Sequence, residues 1–558
     1  MTIARLTDQL SVSPQLQISD LASVSKQGFK TLICNRPDGE GADQPTHQEL
    51  ADAASSLGLT VQYLPVISGK VGDADAQAFG NLLATAESPV LAFCRSGMRS
   101  ATLWALSAAH QQSAAELIRS AKEAGYDLSA LAPRLANATS APDIIGERTD
   151  ARHTVVIVGG GAAGIATAAS LRARDPKLDI AIIDPADTHY YQPGWTLVGA
   201  GIFSAEQTAR VMAKLIPKGV HWIKAAVAAF EPDQNAVILE GCRVIRYEKL
   251  VVCPGLKLDW EAIPGLSETL GKNGVTSNYR YDLAPYTWQQ VQQLRRGRAL
   301  FTQPPMPIKC AGAPQKALYL SCDHWRRAGR QGEVQAEFYN AGAVLFGVAD
   351  YVPALMEYIE RYEVQLNFAH TLSAVDGPRR VATFNRTSAD GSRETLQRSF
   401  DFLHAVPPQR APDFLKVSPL ADAAGWTDID PGTLQHKKYA NVFGLGDAGN
   451  TSNAKTAAAA RKQAPVVAHN LLASLRGAAM SARYDGYGSC PLTVERGKIV
   501  LAEFVYGGKV QPSFPAWLID GRKPSRLAWL LKERVLPPLY WRAMLKGREW
   551  MAKPELVG

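Results

Sequence analysis

Cysteine is scarce in this chain, with seven residues scattered through 558. That excludes a disulfide-stapled secreted domain and suits a reducing compartment. The N-terminus, Met1 to Asp8, lacks the apolar run of a signal peptide, so a cytoplasmic location is expected. No basic stripe is present, and a net charge of +8 from 60 basic against 52 acidic residues is mild for this length. Nucleic-acid binding is therefore not expected, whereas a membrane surface or a dinucleotide suits the charge. There is neither a fixed-period repeat nor a low-complexity tract, which excludes a solenoid. The one long uncharged run, residues 154–171, is broken by glycines and small residues. These mark a strand, a tight turn and a helix start rather than a membrane span. No metal site is expected.

What is present reads as folded throughout, at 46% hydrophobic and 20% charged residues. The length exceeds what one core usually serves. Residues 133–152 are polar, proline-punctuated and aperiodic, as in an interdomain linker. The expected division is a first domain over 1–135, a linker over 136–152, a larger domain over 153–520 and C-terminal helices over 521–558. Before the linker, short apolar runs at Thr31–Cys34, Val61–Val66 and Val90–Cys94 alternate with alanine-rich stretches, the pattern of a small α/β unit.

After the linker, Val155 to Gly164 carries G-x-G-x-x-G between an apolar strand and an alanine-rich helix. Gly159 makes the tight turn, Gly161 lets backbone approach a pyrophosphate, and Gly164 permits close helix–strand packing. Ala162 and Ala163 open the helix whose N-terminus receives the negative charge. The next strand, Ile180 to Ile183, ends at Asp184, where a carboxylate can take ribose hydroxyls. Further on, Asn441 to Asp447, containing Gly446 and Asp447, resembles the second fingerprint of two-dinucleotide-domain flavoproteins, and Leu250 to Gly255 resembles their middle motif. FAD is the expected cofactor. Residues 334–347, read as the place of a second nucleotide fingerprint, hold only Gly342 and Gly347, which disfavours NAD(P)H.

From about His153 onward the chain resembles the sulfide:quinone oxidoreductases. The resemblance is carried by His189 to Gly201, Ile308 to Lys316, Pro419 to Trp426, Asn453 to Ala459 and Tyr484 to Leu492. It implies a two-Rossmann-domain α/β flavoprotein of the disulfide-reductase superfamily with membrane-associating C-terminal helices. It assigns the redox cysteines to Cys310 and Cys490 and puts Asp184, Gln192, Val227, Asp447, Lys455 and Thr456 at FAD. Hydrogen sulfide would be the substrate and ubiquinone the electron acceptor, with sulfur leaving on glutathione, sulfite or a similar small acceptor. A homo-oligomer stays open. Cys490, in a glycine-flanked segment read as an accessible loop, is expected to keep the persulfide while Cys310 faces the flavin. The basic-aromatic stretch 526–546 would lie at the inner face of the cell membrane, or else pack on the protein's own core. Deleting residues 520–558 is expected to leave a soluble flavoprotein. Cys34, Cys242, Cys322 and Cys253 read as small buried hydrophobes, although some branches of the family use a third cysteine. An NADH:quinone-type reductase without a thiol relay is the alternative.

In the first domain, Cys94 follows a buried strand and precedes a helix, and four residues separate it from Arg99 in Phe93-Cys94-Arg95-Ser96-Gly97-Met98-Arg99. Backbone N–H groups, a helix N-terminus and the arginine would all stabilise a thiolate. Protein tyrosine phosphatases place five residues in that interval, and the shorter loop is similar to a rhodanese's. Residues 1–130 as a whole resemble the dual-specificity-phosphatase-like domain found beside β-lactamase-like sulfur enzymes. Sulfur transfer on Cys94 is the expectation. A cysteine phosphatase using Asp73 or Asp75 as general acid, or a docking domain, remains the alternative.

Overall fold

The computed structural model describes residues 3–40, 44–67, 71–126, 128, 131–132, 134–135, 151–239, 243–387 and 391–557. Most of the expected linker, residues 136–150, and Cys242 lie outside the described residues. The chain divides into two compact units. The first holds Met1–Ala151 together with Ile238–Val244, and the second Arg152–Val237 with Ile245–Gly558.

The first unit is built on a five-stranded sheet in the order Ala4–Arg5, Leu10–Ser13, Val90–Phe93, Thr31–Cys34, Thr60–Tyr63, parallel except for the first strand. Parallel strands need cover on both faces, and the alternation supplies it. Val12, Ile33 and Ala92 pack with Phe79 and Trp104, whereas Leu32, Cys34, Leu91 and Phe93 pack with Leu21 and Leu50. The central strand Val90–Phe93 delivers Cys94 to the carboxyl edge of the sheet, where ligands bind in folds of this kind.

In the second unit, strands His221–Ile223, Ile180–Ile183 and Ala151–Val158 run parallel and continue into Val244–Val252, Ala236–Leu239 and Val227–Glu231. Val442–Gly444 joins the same sheet by pairing with Val244–Val252. A second, all-parallel sheet has the order Val275–Thr276, Phe402–His404, Gly297–Gln303, Val334–Asn340, Gln365–Phe368. Strand Gly297–Gln303 leads through a loop to helix Ala313–Arg327, one strand earlier than residues 334–347. The loop between holds Pro304, Pro305 and Pro307 and, as its single glycine, Gly312. Proline lacks an N–H, so this loop is poor in donors for a pyrophosphate. It carries Cys310 instead.

The hairpin Gly488–Glu495 with Lys498–Phe504 packs on helix Ala313–Arg327 through Cys490, Leu492 and Val494. Cys490 is therefore on a strand, 3% exposed, and not in an accessible loop. The expectation that an external acceptor reaches it more easily than Cys310 is overturned, because Cys310 is the half-buried member of the two.

The C-terminal stretch forms helix Arg526–Leu530, a π-turn at Leu531–Val535 and helix Leu536–Arg542. Trp529 packs with Leu501 and Ile519, and Tyr540, Met544 and Leu545 share a core with Val155 and Ile157. Strand Glu555–Leu556 pairs with Ala482–Arg483. These aromatics face inward, contrary to the headgroup placement expected of them. Exposed apolar side chains of this region include Leu527, Leu530, Val535 and Trp517, the last 85% exposed. A deletion at 520 would strip the core of the dinucleotide-binding sheet, so the segment is not an appendage.

Candidate active site

Cys310 sits at φ 49, the left-handed region that a non-glycine residue enters at a cost of roughly 1–2 kcal/mol. Three contacts hold it there. Its N–H donates to the Lys455 carbonyl at 2.8 Å, its carbonyl accepts the Ala313 N–H at 2.7 Å, and the Tyr279 hydroxyl donates to the Lys309 carbonyl at 3.0 Å. The thiol lies 3.7 Å from the Cys490 Sγ, across 180 residues of sequence. Gly312 makes that approach possible, since a Cβ there would stand 2.5 Å from the Cys490 Sγ and 2.4 Å from Leu492.

Lys316, 3% exposed on helix Ala313–Arg327, donates to the Cys310 Sγ at 3.2 Å. Cys310 is held well below the ordinary thiol range, first by the hydrogen bond from Cys490 and then, against burial, by Lys316. Cys490 is pushed up, by the same shared proton and by burial. With the Lys316 ammonium against its sulfur, Cys310 is the member of the pair that favours the thiolate, and Cys490 the member that favours the thiol. Burial lowers Lys316, but the sulfur anion more than offsets it, so the ammonium is retained. A second buried cation, Lys532, is pushed down to about 7 by burial and then by Lys316. Lys309 donates to the Gln192 side chain at 2.5 Å and is pushed down to about 8, chiefly by burial. Sequence reasoning passed over Gly312, Lys316 and Lys532. The first two lie within the segment quoted around Cys310, but only the packed hairpin shows why they matter.

The residues expected at FAD form a cradle. Gly159 has φ +108, and a Cβ there would stand 2.4 Å from the Cys253 carbonyl, while one on Gly164 would collide with the Gly159 carbonyl at 1.8 Å. At Gly161 a Cβ meets nothing within 4 Å. Open space over a helix N-terminus that begins at Ala162 and Ala163 fits a pyrophosphate. Asp184 accepts N–H groups from Gly160 at 2.6 Å and Ala186 at 2.8 Å, with lone pairs left for a ribose. Val227 is buried at the start of its strand, and Gln192 is exposed beside Lys309. Gly446, at φ 71, donates to Gln463 and brings Asp447 to the end of strand Val442–Gly444. Burial raises Asp447, opposed by Lys455 and Lys309. The Lys455 ammonium binds the Asp447 and Gly449 carbonyls at 2.8 and 2.7 Å, and Thr456 caps helix Ala457–Leu475. These two therefore build the turn that supports Cys310. Cys253 lies beneath Gly159, with burial pushing its thiol far up, and Cys34 and Cys322 are likewise buried with raised thiols.

Residues 153–288 match the family model described as pyridine nucleotide-disulphide oxidoreductase. A mitochondrial sulfide:quinone oxidoreductase of Dictyostelium discoideum is 44% identical over 405 residues, spanning 72% of this chain and 88% of that protein. The chain belongs to the sulfide:quinone oxidoreductase family. The crystal structure of the sulfide:quinone oxidoreductase from Aquifex aeolicus has the same fold, with a TM-score of 0.59 at 20% identity, over 71% of this chain and 92% of that one. Sulfide:quinone oxidoreductases are FAD-dependent flavoproteins, and the cradle above fits that cofactor. Residues 2–111 match the phosphatase-like domain of beta-lactamase hydrolase-like protein. The protein of that name from Agrobacterium fabrum is 39% identical over 106 residues, 19% of this chain and 25% of that protein.

In the phosphatase-like unit the Cys94 Sγ accepts the Gly97 N–H at 3.2 Å, and Gly97, at φ 86, caps helix Met98–Ala108. Arg99 does not serve the sulfur as expected. Its guanidinium donates to the Val66 carbonyl at 2.6 Å, the Asn35 carbonyl at 3.1 Å and the Glu40 carboxylate at 2.8 Å. Glu40 also takes Arg36 at 2.7 Å, and a carboxylate between two guanidiniums outcompetes a thiol as acceptor. Asp73 pairs with Arg134 at 2.6 Å and Asp75 caps the Gly72 N–H at 2.8 Å, so both expected acids have structural roles.

Proposed function

We propose that this chain oxidises hydrogen sulfide and reduces ubiquinone, with Cys310 and Cys490 as a thiol relay. The observation that carries the reading is the 3.7 Å contact between the two sulfurs with the Lys316 ammonium against one of them. Two S–S bonds of about 2.05 Å each span at most about 4.1 Å, so the gap suits a disulfide before closure or a bridge with one added sulfur. Hydrosulfide attacks the oxidised bridge, one S–S bond breaks as another forms, and the products are a persulfide on one cysteine and a thiolate on the other. Cys310, stabilised as the thiolate by Lys316 and next to the Asp447–Lys455 turn, is the donor side, and Cys490 keeps the persulfide sulfur. FAD, when bound, supplies the two-electron acceptor that hands on to quinone. Sulfur leaves on a small nucleophile such as glutathione or sulfite.

Among the described residues no helix is long and apolar enough to cross a membrane. Exposed Trp517, Leu527, Leu530 and Val535, flanked by Arg522, Lys523, Arg526 and Arg534, support peripheral docking at the inner face of the cell membrane. For the first unit, the Cys94 loop of four intervening residues supports sulfane-sulfur transfer, while the family-model match favours a cysteine phosphatase as the second reading.

Cys310→Ser and Cys490→Ser should each lower sulfide-dependent decylubiquinone reduction to below about 1% of wild type while flavin absorbance is kept. Turnover near the wild-type rate in either variant would sink the relay.

A further inference from the structure

The Gly160 peptide, inside the dinucleotide loop, is held at both ends. Its N–H donates to Asp184 at 2.6 Å, and its carbonyl is 3.2 Å from the Nδ1 of His189. A carbonyl can only accept, so Nδ1 must carry the proton and Nε2 must be bare. Nε2 is met at 2.6 Å by the hydroxyl of Tyr540, which then donates. Burial pushes His189 down to about 4, so the ring is neutral at ordinary pH and both roles are available. The Gly160 carbonyl thereby sets the tautomer, and the Tyr540 hydroxyl satisfies the ring nitrogen that is left bare. Without that hydroxyl the buried Nε2 lone pair has no donor, and the ring loses one of the two hydrogen bonds that fix its orientation against the Gly160 carbonyl.

The same C-terminal segment grips helix Ala162–Arg174 a second time. Glu549 accepts from Arg174 at 2.9 Å through one oxygen, and from Arg174 and Ser170 through the other. Gly547, at φ +70, runs so close that a Cβ would stand 2.5 Å from the Ala169 carbonyl. One segment thus fixes both the peptide at the mouth of the dinucleotide loop and the helix whose N-terminus faces the pyrophosphate site.

We propose that Tyr540 and Glu549 are positioning residues for FAD, which is retained only while the C-terminal segment is seated on the dinucleotide loop and its helix. The inference rests on the FAD reading above. It is tested on the full-length flavoprotein by Tyr540→Phe, which keeps the ring and deletes only the hydroxyl, and by Glu549→Gln. FAD release after dilution is followed by the rise in flavin fluorescence, and thermal unfolding of the FAD-stripped protein is measured beside it. Release about tenfold faster in Tyr540→Phe, with the stripped protein melting as wild type does, is the expected result. Unchanged release in both variants overturns the inference. So does a parallel loss of stability in the stripped protein, which reduces both residues to packing. A wild-type chain that purifies without flavin and cannot take it up sinks the FAD reading itself.

Discussion

At Gly312 the fold leaves no room for a methyl group, because a Cβ would lie against the Cys490 sulfur and Leu492. Gly312→Ala must therefore displace the hairpin, and overpacking of this kind costs about 1–3 kcal/mol. The expected outcome is a drop in sulfide oxidation of roughly ten- to a hundredfold with normal FAD content, checked by turnover and flavin absorbance together. Lys316 acts electrostatically instead. Cys310 titrates below the ordinary thiol range because Cys490 donates to it and Lys316 lies beside it, so its thiolate persists as pH falls toward neutrality. In Lys316→Met that support is lost, the thiolate pKa moves up, and the reactive form is confined to higher pH. Alkylation rates of the reduced enzyme against pH should show the acid limb displaced upward. An unmoved limb would mean that Cys490 alone sustains the anion.

The C-terminal element combines two roles on different faces. Trp529 and Tyr540 are core residues, and removing them would destabilise the hairpin and the dinucleotide-binding sheet respectively rather than loosen a membrane anchor. Leu527, Leu530 and Val535 are each about half exposed, at 48%, 50% and 49%. Their replacement should therefore leave the fold intact. Leu527→Glu with Leu530→Glu should weaken co-sedimentation with anionic vesicles by roughly tenfold, and Trp517→Ala should weaken it further. Turnover with a short-chain soluble quinone should change little. Vesicle binding at wild-type strength would remove this face from the docking surface.

Over the whole molecule, two units carry two cysteine sites of different construction. In the second unit a thiolate is stabilised by a buried ammonium; in the first, Cys94 has the Gly97 N–H while Arg99 is tied to Glu40. The full-length Cys94→Ser variant should lose sulfur transfer from thiosulfate or glutathione persulfide to cyanide or sulfite, yet still oxidise sulfide. Arg99→Ala should impair that transfer mainly by leaving one Glu40 oxygen and the Val66 carbonyl without their donor, visible as a lower unfolding temperature. Robust Cys94-dependent hydrolysis of p-nitrophenyl phosphate with no sulfur transfer would establish the phosphatase reading.

The sequence by itself determined the local steric devices. The turn at Gly159, the close packing at Gly164, the strand ending in Asp184 and the α/β alternation of both units follow from backbone freedom and periodicity, which act over a few residues. It also marked the two cysteine-bearing segments. Only the tertiary structure decided what those segments meet: that Cys490 is on a strand, that Gly312 makes way for it, that Lys316 reaches Cys310, that Arg99 turns to Glu40 and that Tyr540 turns inward to His189. Each is a contact whose partner is chosen by packing between elements distant in sequence or by competition among acceptors. A one-dimensional pattern carries neither, because burial and charge pairing are settled when the sheets, the hairpin and the C-terminal segment close on one another.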